Sequence, residues 1–189
     1  MLRLLAALYA VLVILMPVLA KAETPFRDVD YLSLGGGYYN FDRTESHTKS
    51  VDFRGEYRWG LSLLSSANPA LRSWDDYVQF HPVVGIEMNS FGLLYGNSGF
   101  DMDAYLGKHF VFTWGEQIGF LNIGQSHQMG SYLEFRSMGE IGYRFANNLR
   151  VTGYIGHISN AGLTKRNPGA EVEGIYIHIP INLMEGKSR

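Results

Sequence analysis

Leu133-Glu134-Phe135-Arg136-Ser137-Met138-Gly139-Glu140-Ile141-Gly142-Tyr143-Arg144-Phe145 alternates with a period of two. One face carries Leu, Phe, Ser, Gly, Ile, Tyr and Phe, and the other carries Glu134, Arg136, Glu140 and Arg144. Successive side chains of an extended chain leave by opposite faces, so this is a strand with one apolar and one charged side. Val51 to Trp59 repeats the pattern, with Val, Phe, Gly, Tyr and Trp set against Asp52, Arg54, Glu56 and Arg58. Near the C-terminus, Ile175, Ile177, Ile179, Ile181 and Leu183 share one face, opposite Gly174, Tyr176, His178, Pro180 and Asn182.

Two architectures accommodate such strands. A soluble sandwich or lipocalin-type barrel turns the apolar face inward and wears the charges outside. A transmembrane barrel does the reverse. The charged positions alternate in sign along the first two of these strands (Glu134, Arg136, Glu140, Arg144; Asp52, Arg54, Glu56, Arg58), and an eight-stranded barrel has an interior just wide enough to be filled by side chains. Interdigitated arginines and carboxylates can fill it, each neutralised by a neighbour. The aromatic and aliphatic face then meets lipid, which favours the membrane barrel.

Working outward, the alternation predicts eight strands at about 30–41, 50–60, 80–90, 92–106, 109–122, 131–145, 148–160 and 171–183. Several exceed the roughly 9–11 residues that cross a bilayer at a tilt. Gly107-Lys108 and Ala146-Asn147 are short connections, whereas Asp42 to Lys49, Ile123 to Gly130 and Ala161 to Ala170 are longer. The short ones and both termini are assigned to the periplasmic side. The segment 61–79 departs from this rule. Asn68-Pro69 can start a short amphipathic helix ending near Val78, either lying on the inner interface or forming a turn within an ordinary loop.

The rest of the composition agrees. Met1-Leu2-Arg3, an apolar run from Leu4 to Leu19 broken only by Pro17, and Ala20-Lys21-Ala22 have the layout of a secretory signal peptide. Cleavage after Ala22 leaves 189 − 22 = 167 residues, expected to form a single domain over 23–189. Loss of Arg3 and Lys21 takes the formal charge from −2 to −4, which gives no footing for nucleic-acid binding. With no cysteine, disulfide scaffolds, thiol nucleophiles and thiolate metal sites are excluded. Charged residues make up 18% and aromatics 14%, a low-charge, aromatic-rich balance that suits a wall facing lipid.

Phosphate-binding loops, nucleophile elbows and zinc motifs are absent from the sequence. The distinctive stretch is Gly156-His157-Ile158-Ser159-Asn160-Ala161-Gly162-Leu163-Thr164-Lys165-Arg166-Asn167-Pro168-Gly169-Ala170-Glu171. His157 and Ser159, two apart on a strand, leave by the face that also carries Leu149, Val151 and Ile155, the lipid side. Glu171 shares its face with Glu173 and the isoleucine series. Strands seven and eight are antiparallel neighbours, so serine, histidine and carboxylate gather near the longer-loop rim: a nucleophile, a base and an orienting acid. The plainer alternative is that both strands end there and these residues sit in water at headgroup level. His178 and His81 fall on the lumen side, while His47 and His127 fall in outer loops. Lys165 and Arg166 either meet lipid phosphates or are solvated.

The leader, the eight-strand pattern, His-x-Ser-Asn-Ala-Gly and Asn-Pro-Gly-x-Glu closely resemble the outer-membrane lipid A 3-O-deacylases of the PagL type, with His81 to Glu87 and Leu133 to Ser137 in support. The resemblance implies an eight-stranded antiparallel transmembrane β-barrel with its site on the outer face, at the outer leaflet. It implies removal of the ester-linked 3-hydroxyacyl chain from position 3 of lipid A, with no metal or cofactor. On the matching positions it makes Ser159 the nucleophile, His157 the general base and Glu171 its orienting acid. Asn167 and the backbone N–H of Gly162 become oxyanion-hole candidates, with Asn160 in support and Pro168-Gly169 holding the turn.

The expected surroundings are lipopolysaccharide as substrate, outer-membrane lipid, and the assembly machinery that reads a terminal-strand aromatic; a homodimer is compatible with them. Here the last strand ends near Leu183-Met184, followed by Glu185-Gly186-Lys187-Ser188-Arg189, which departs from that aromatic signal. Two rival functions stand beside the deacylase: a non-catalytic structural or adhesion barrel, and an esterase of the same machinery acting on phospholipids.

Overall fold

The computed structural model describes residues 29–40, 49–122 and 128–181, apart from the side chains of Arg72 and Asp76. The leader, His47, His127 and the chain beyond Ile181 lie outside the described residues.

Eight strands follow one another: β1 Tyr31–Tyr39, β2 Ser50–Arg58, β3 Val78–Asn89, β4 Leu94–Leu106, β5 Phe110–Leu121, β6 Leu133–Arg144, β7 Arg150–Ser159 and β8 Ala170–Pro180. Each pairs antiparallel with the next, and β8 returns to β1, closing a barrel without a free edge. Closure lets every strand meet its backbone hydrogen bonds inside the sheet, the condition a wall in lipid must satisfy. The eighth strand ends at Pro180, earlier than its alternation suggested, although the Ile181 N–H still donates to Asp30 O at 2.9 Å.

The charged face is the lumen. Arg54 lies 2.8 Å from Asp52 and 3.3 Å from Glu87. Arg136 reaches the same Glu87 at 3.0 Å and also hydrogen-bonds Glu56 and Gln117. Arg58 and Arg150 converge on Asp103 at 2.8 and 2.6 Å, and Thr113 donates to it at 2.6 Å. Both expected lumen histidines are there. His178 meets Ser33 at 2.7 Å and Glu140 at 3.1 Å, and His81 meets Trp59 O and Gln79. Sharing Glu87 between two arginines, and Asp103 among two arginines and a threonine, helps make such buried charges tolerable.

Towards the long-loop rim the interior turns apolar. Tyr39, Leu93, Tyr95, Leu121, Met129, Ile158, Ala170 and Val172 form one buried cluster. The outer wall is the converse of the lumen, with Phe120 66%, Ile141 61%, Ile175 59% and Ile155 58% exposed. An apolar surface that continuous is a liability in water and a requirement in lipid.

The connections obey the alternation only in part. Gly107, at φ +69°, and Asn148, at φ +68°, take the left-handed positions of the two tight turns between β4 and β5 and between β6 and β7. On the opposite rim, residues 90–93 also make a tight turn, because Asn89 Oδ1 accepts from the N–H groups of Phe91 and Leu93 and Gly92 supplies φ +81°. The long connection between β2 and β3 folds into a helix α1, Leu63–Ala67, and a 3-10 helix, Pro69–Asp76. Asn68 starts the latter as expected, its side chain accepting from Ala70 N at 3.1 Å. The segment winds as a 3-10 helix and stops at Asp76, where Ser62 Oγ donates to Asp75 at 2.8 Å.

Candidate active site on the lipid-facing wall

His157 and Glu171 are direct cross-strand partners of β7 and β8. Such pairs bring Cβ atoms within about 5 Å, and here the side chains meet, His157 Nδ1 to Glu171 Oε1, at 2.6 Å. The contact sits outside the barrel, with the two side chains 48% and 35% exposed. Between them in phase, Ile158, Ala170 and Val172 point inward into the apolar cluster. The strand ends that present the polar pair are thereby anchored from behind. Ser159, two residues beyond His157 and on the same face, closes β7 opposite Phe135. Contact joins the histidine to the carboxylate, whereas the serine joins them by position on the wall.

The loop from β7 to β8 is built on Asn160, which is fully buried. Its Oδ1 accepts from Gly162 N at 3.1 Å, and its Nδ2 is directed at Arg166 O, Thr164 Oγ1 and Met129 O. Its backbone N–H donates to Asn167 Oδ1 at 3.0 Å. A backbone N–H can only donate, so Asn167 is held with its carbonyl oxygen towards Asn160 and its NH2 group directed away. The Gly162 N–H, by contrast, is engaged by Asn160. Ala161 and Gly162 both take positive φ, +54° and +78°, which turns the chain back at once after β7. Arg166 Nε donates to Gln128 O, so its guanidinium ties this loop to the preceding one.

Gly169 does more than allow a turn. Its φ is +66°, and a Cβ there would lie 2.7 Å from His157 Cε1 and 3.2 Å from Nε2. The imidazole rests on this glycine along its Cε1–Nε2 edge.

One polar group on the same wall escaped the reading of motifs. Trp114 Nε1 donates to Glu116 Oε1 at 2.8 Å, and Ser137 Oγ donates to Glu116 Oε2 at 2.7 Å. Its signal was in the sequence: in Phe110, Phe112, Trp114, Glu116, Ile118, Phe120 a carboxylate interrupts an otherwise apolar phase.

Comparison with known proteins bears on this face. The model of a family described as Lipid A 3-O-deacylase (PagL) matches residues 100–180, a span that includes His157, Ser159, Asn160, Gly162, Asn167 and Glu171. The likeness seen in the motifs therefore holds over this part of the chain. No curated protein sequence matches the chain. Among solved structures, the outer membrane enzyme PagL superposes with a TM-score of 0.58 at 19% identity, over 80% of this chain and 99% of that one. A de novo designed transmembrane β-barrel follows at 0.51 and 12% identity, over 81% and 97%. A barrel designed from scratch fits almost as well as an enzyme, so these two likenesses speak for the architecture alone.

Proposed function

We propose that this chain is a serine esterase of the bacterial outer membrane that hydrolyses the ester-linked 3-hydroxyacyl chain at position 3 of lipid A. The observation that carries the reading is the 2.6 Å contact of His157 with Glu171 on the outer wall, with Ser159 two residues away on the same face. Polar groups on a lipid-facing wall are costly, and a hydrogen-bonded imidazole and carboxylate beside a serine have a ready use in acyl transfer. The family match over residues 100–180 supplies the substrate class.

In this reading Ser159 Oγ attacks the ester carbonyl, which reaches it sideways from the leaflet rather than through the filled lumen. His157 takes the serine proton and returns it to the leaving sugar hydroxyl. Glu171, on Nδ1, holds the ring in the tautomer whose Nε2 can accept, and steadies the imidazolium that forms. For the developing oxyanion, the NH2 group of Asn167 is the stronger of the two candidates, because the Gly162 N–H already has a partner in Asn160 Oδ1. Water then releases the acyl chain by the same steps, and nothing in the sequence calls for a metal.

Mass spectrometry of lipid A from cells with and without the protein tests this. Loss of one hydroxyacyl chain is expected. Appearance of lysophospholipid instead would redirect the esterase to phospholipids, and an unchanged lipid profile would leave a non-catalytic barrel.

A further inference from the structure

The Glu116 group has no part in the reaction just described, yet it lies in line with it. Glu116 stands opposite Ser137, Ser137 opposite His157, and His157 opposite Glu171, so one unbroken row of polar residues crosses four strands of the lipid-facing wall. The row runs inward from the rim. Glu171 is next to the end of β8 at Ala170, and His157 is two residues from Ser159, which ends β7. Ser137 is four residues from Leu133, which starts β6, and Glu116 five from Leu121, which ends β5. Apolar side chains would make a cheaper wall at that depth, and the backbone ladder already joins β5 to β6.

The directions of the hydrogen bonds say what the group can bind. Ser137 has one proton and gives it to Glu116; Trp114 has one N–H and gives it to the same carboxylate. What is left are lone pairs on Ser137 Oγ and the two Glu116 oxygens. The group accepts only, so its ligand is a hydrogen-bond donor. Gly139, the next outward residue on β6, leaves room that seats the Trp114 ring, 3.5 Å from where a Cβ would stand.

Its position narrows the donor. Ser159 pairs with Phe135, so Ser137 is one strand across and two residues along from it, about 8 Å between Cα atoms. An acyl chain whose carbonyl is at Ser159 Oγ brings its first few carbons over Ser137. On the reading that the substrate is a 3-hydroxyacyl ester, we propose that Ser137 and Glu116 accept the hydrogen bond of the 3-hydroxyl of the chain being removed. They are specificity-determining residues for hydroxylated acyl esters, with no part in bond breaking.

The test uses two glucosamine lipids esterified at O3, one with 3-hydroxymyristate and one with myristate, each in detergent micelles with the full barrel. Wild type should favour the hydroxylated ester by at least about tenfold in kcat/KM, the worth of one hydrogen bond to a charged acceptor. Glu116→Ala and Ser137→Ala should bring that ratio close to one. Both rates are read on one preparation, so the ratio does not depend on how much of a variant has folded. A ratio unchanged in both variants overturns the subsite. If wild type cleaves neither lipid, the proposed reaction is at fault, and the subsite is read by binding instead. With Trp59→Phe and Trp74→Phe, Trp114 is the one remaining tryptophan of three. Its emission should respond to an amide analogue bearing 3-hydroxymyristate and not to the myristoyl analogue; an equal response, or none, overturns the assignment.

Discussion

Inside the barrel, Arg136 is held among Glu56, Glu87 and Gln117, and Glu87 is shared with Arg54. Outside, on the neighbouring strand, His157 meets a single carboxylate and stays half exposed. The inner charges are buried among one another and closed off from any ligand; the outer pair is partnered on one side and open on the other. Charge in the lumen fills space and fixes the fold, whereas polarity on the outer wall is drawn out in a row, from His157 and Glu171 near the rim inward to Ser137 and Glu116, and left accessible. Mutations on the two sides should therefore fail in different ways.

The largest effect is expected from Ser159→Ala. The barrel should fold, as seen by heat-modifiable migration on a gel, while lipid A deacylation falls by about a thousandfold or more. Near-normal activity in this variant would remove Ser159 as nucleophile. Glu171→Ala should come next, lowering turnover by about a hundredfold to ten-thousandfold by freeing the imidazole from its working tautomer. Stability to urea in detergent should hardly change, since the variant takes a polar group off the lipid wall. If Glu171→Ala unfolds the barrel instead, the outer pair is structural and the contrast between the two faces collapses.

Arg136→Leu should show the opposite signature. It strands Glu56 in the lumen and leaves Glu87 to Arg54 alone, and breaking a buried pair of this kind costs about 3–5 kcal/mol. Urea unfolding in detergent should report that loss. Deacylation per folded molecule should stay close to wild type, because Arg136 touches nothing on the outer face. A variant equally stable but inactive would mean that the lumen network shapes the site directly.

Much of this contrast was legible in the sequence. The sign alternation of Asp52, Arg54, Glu56 and Arg58 requires a face where opposite charges can interleave, and a narrow closed barrel provides one. The pairing of His157 with Glu171 followed from two strands and a turn between them. Three things were not legible. The strands expected at 80–90 and 92–106 implied a tight connection, but not that Asn89 holds it by capping two N–H groups. The engagement of the Gly162 N–H by Asn160 required the loop's hydrogen bonds. The Glu116 group was visible as one wrong-phase residue, but only the register across β5, β6 and β7 lines it up with the histidine.

Gly169 offers the finest test of how the outer face is built. The chain must turn there with φ +66°, a region where L-residues pay about 1–2 kcal/mol, and the His157 ring occupies the space a Cβ would need. Gly169→Ala therefore combines a small loss of stability with a push on the imidazole, whose Nδ1 is pinned to Glu171 while Cε1 and Nε2 face the new methyl. Gly169→Asn separates the two, because asparagine tolerates positive φ better than alanine but brings a larger side chain. If the backbone alone matters, Asn should be the milder change. If the seat under the ring matters, both variants should lose turnover by about tenfold or more, Asn no less than Ala, with KM little changed because the groups expected to hold the lipid are untouched. Steady-state deacylation alongside urea unfolding in detergent separates the two outcomes, and recovery of turnover in Gly169→Asn would assign the glycine to the turn alone.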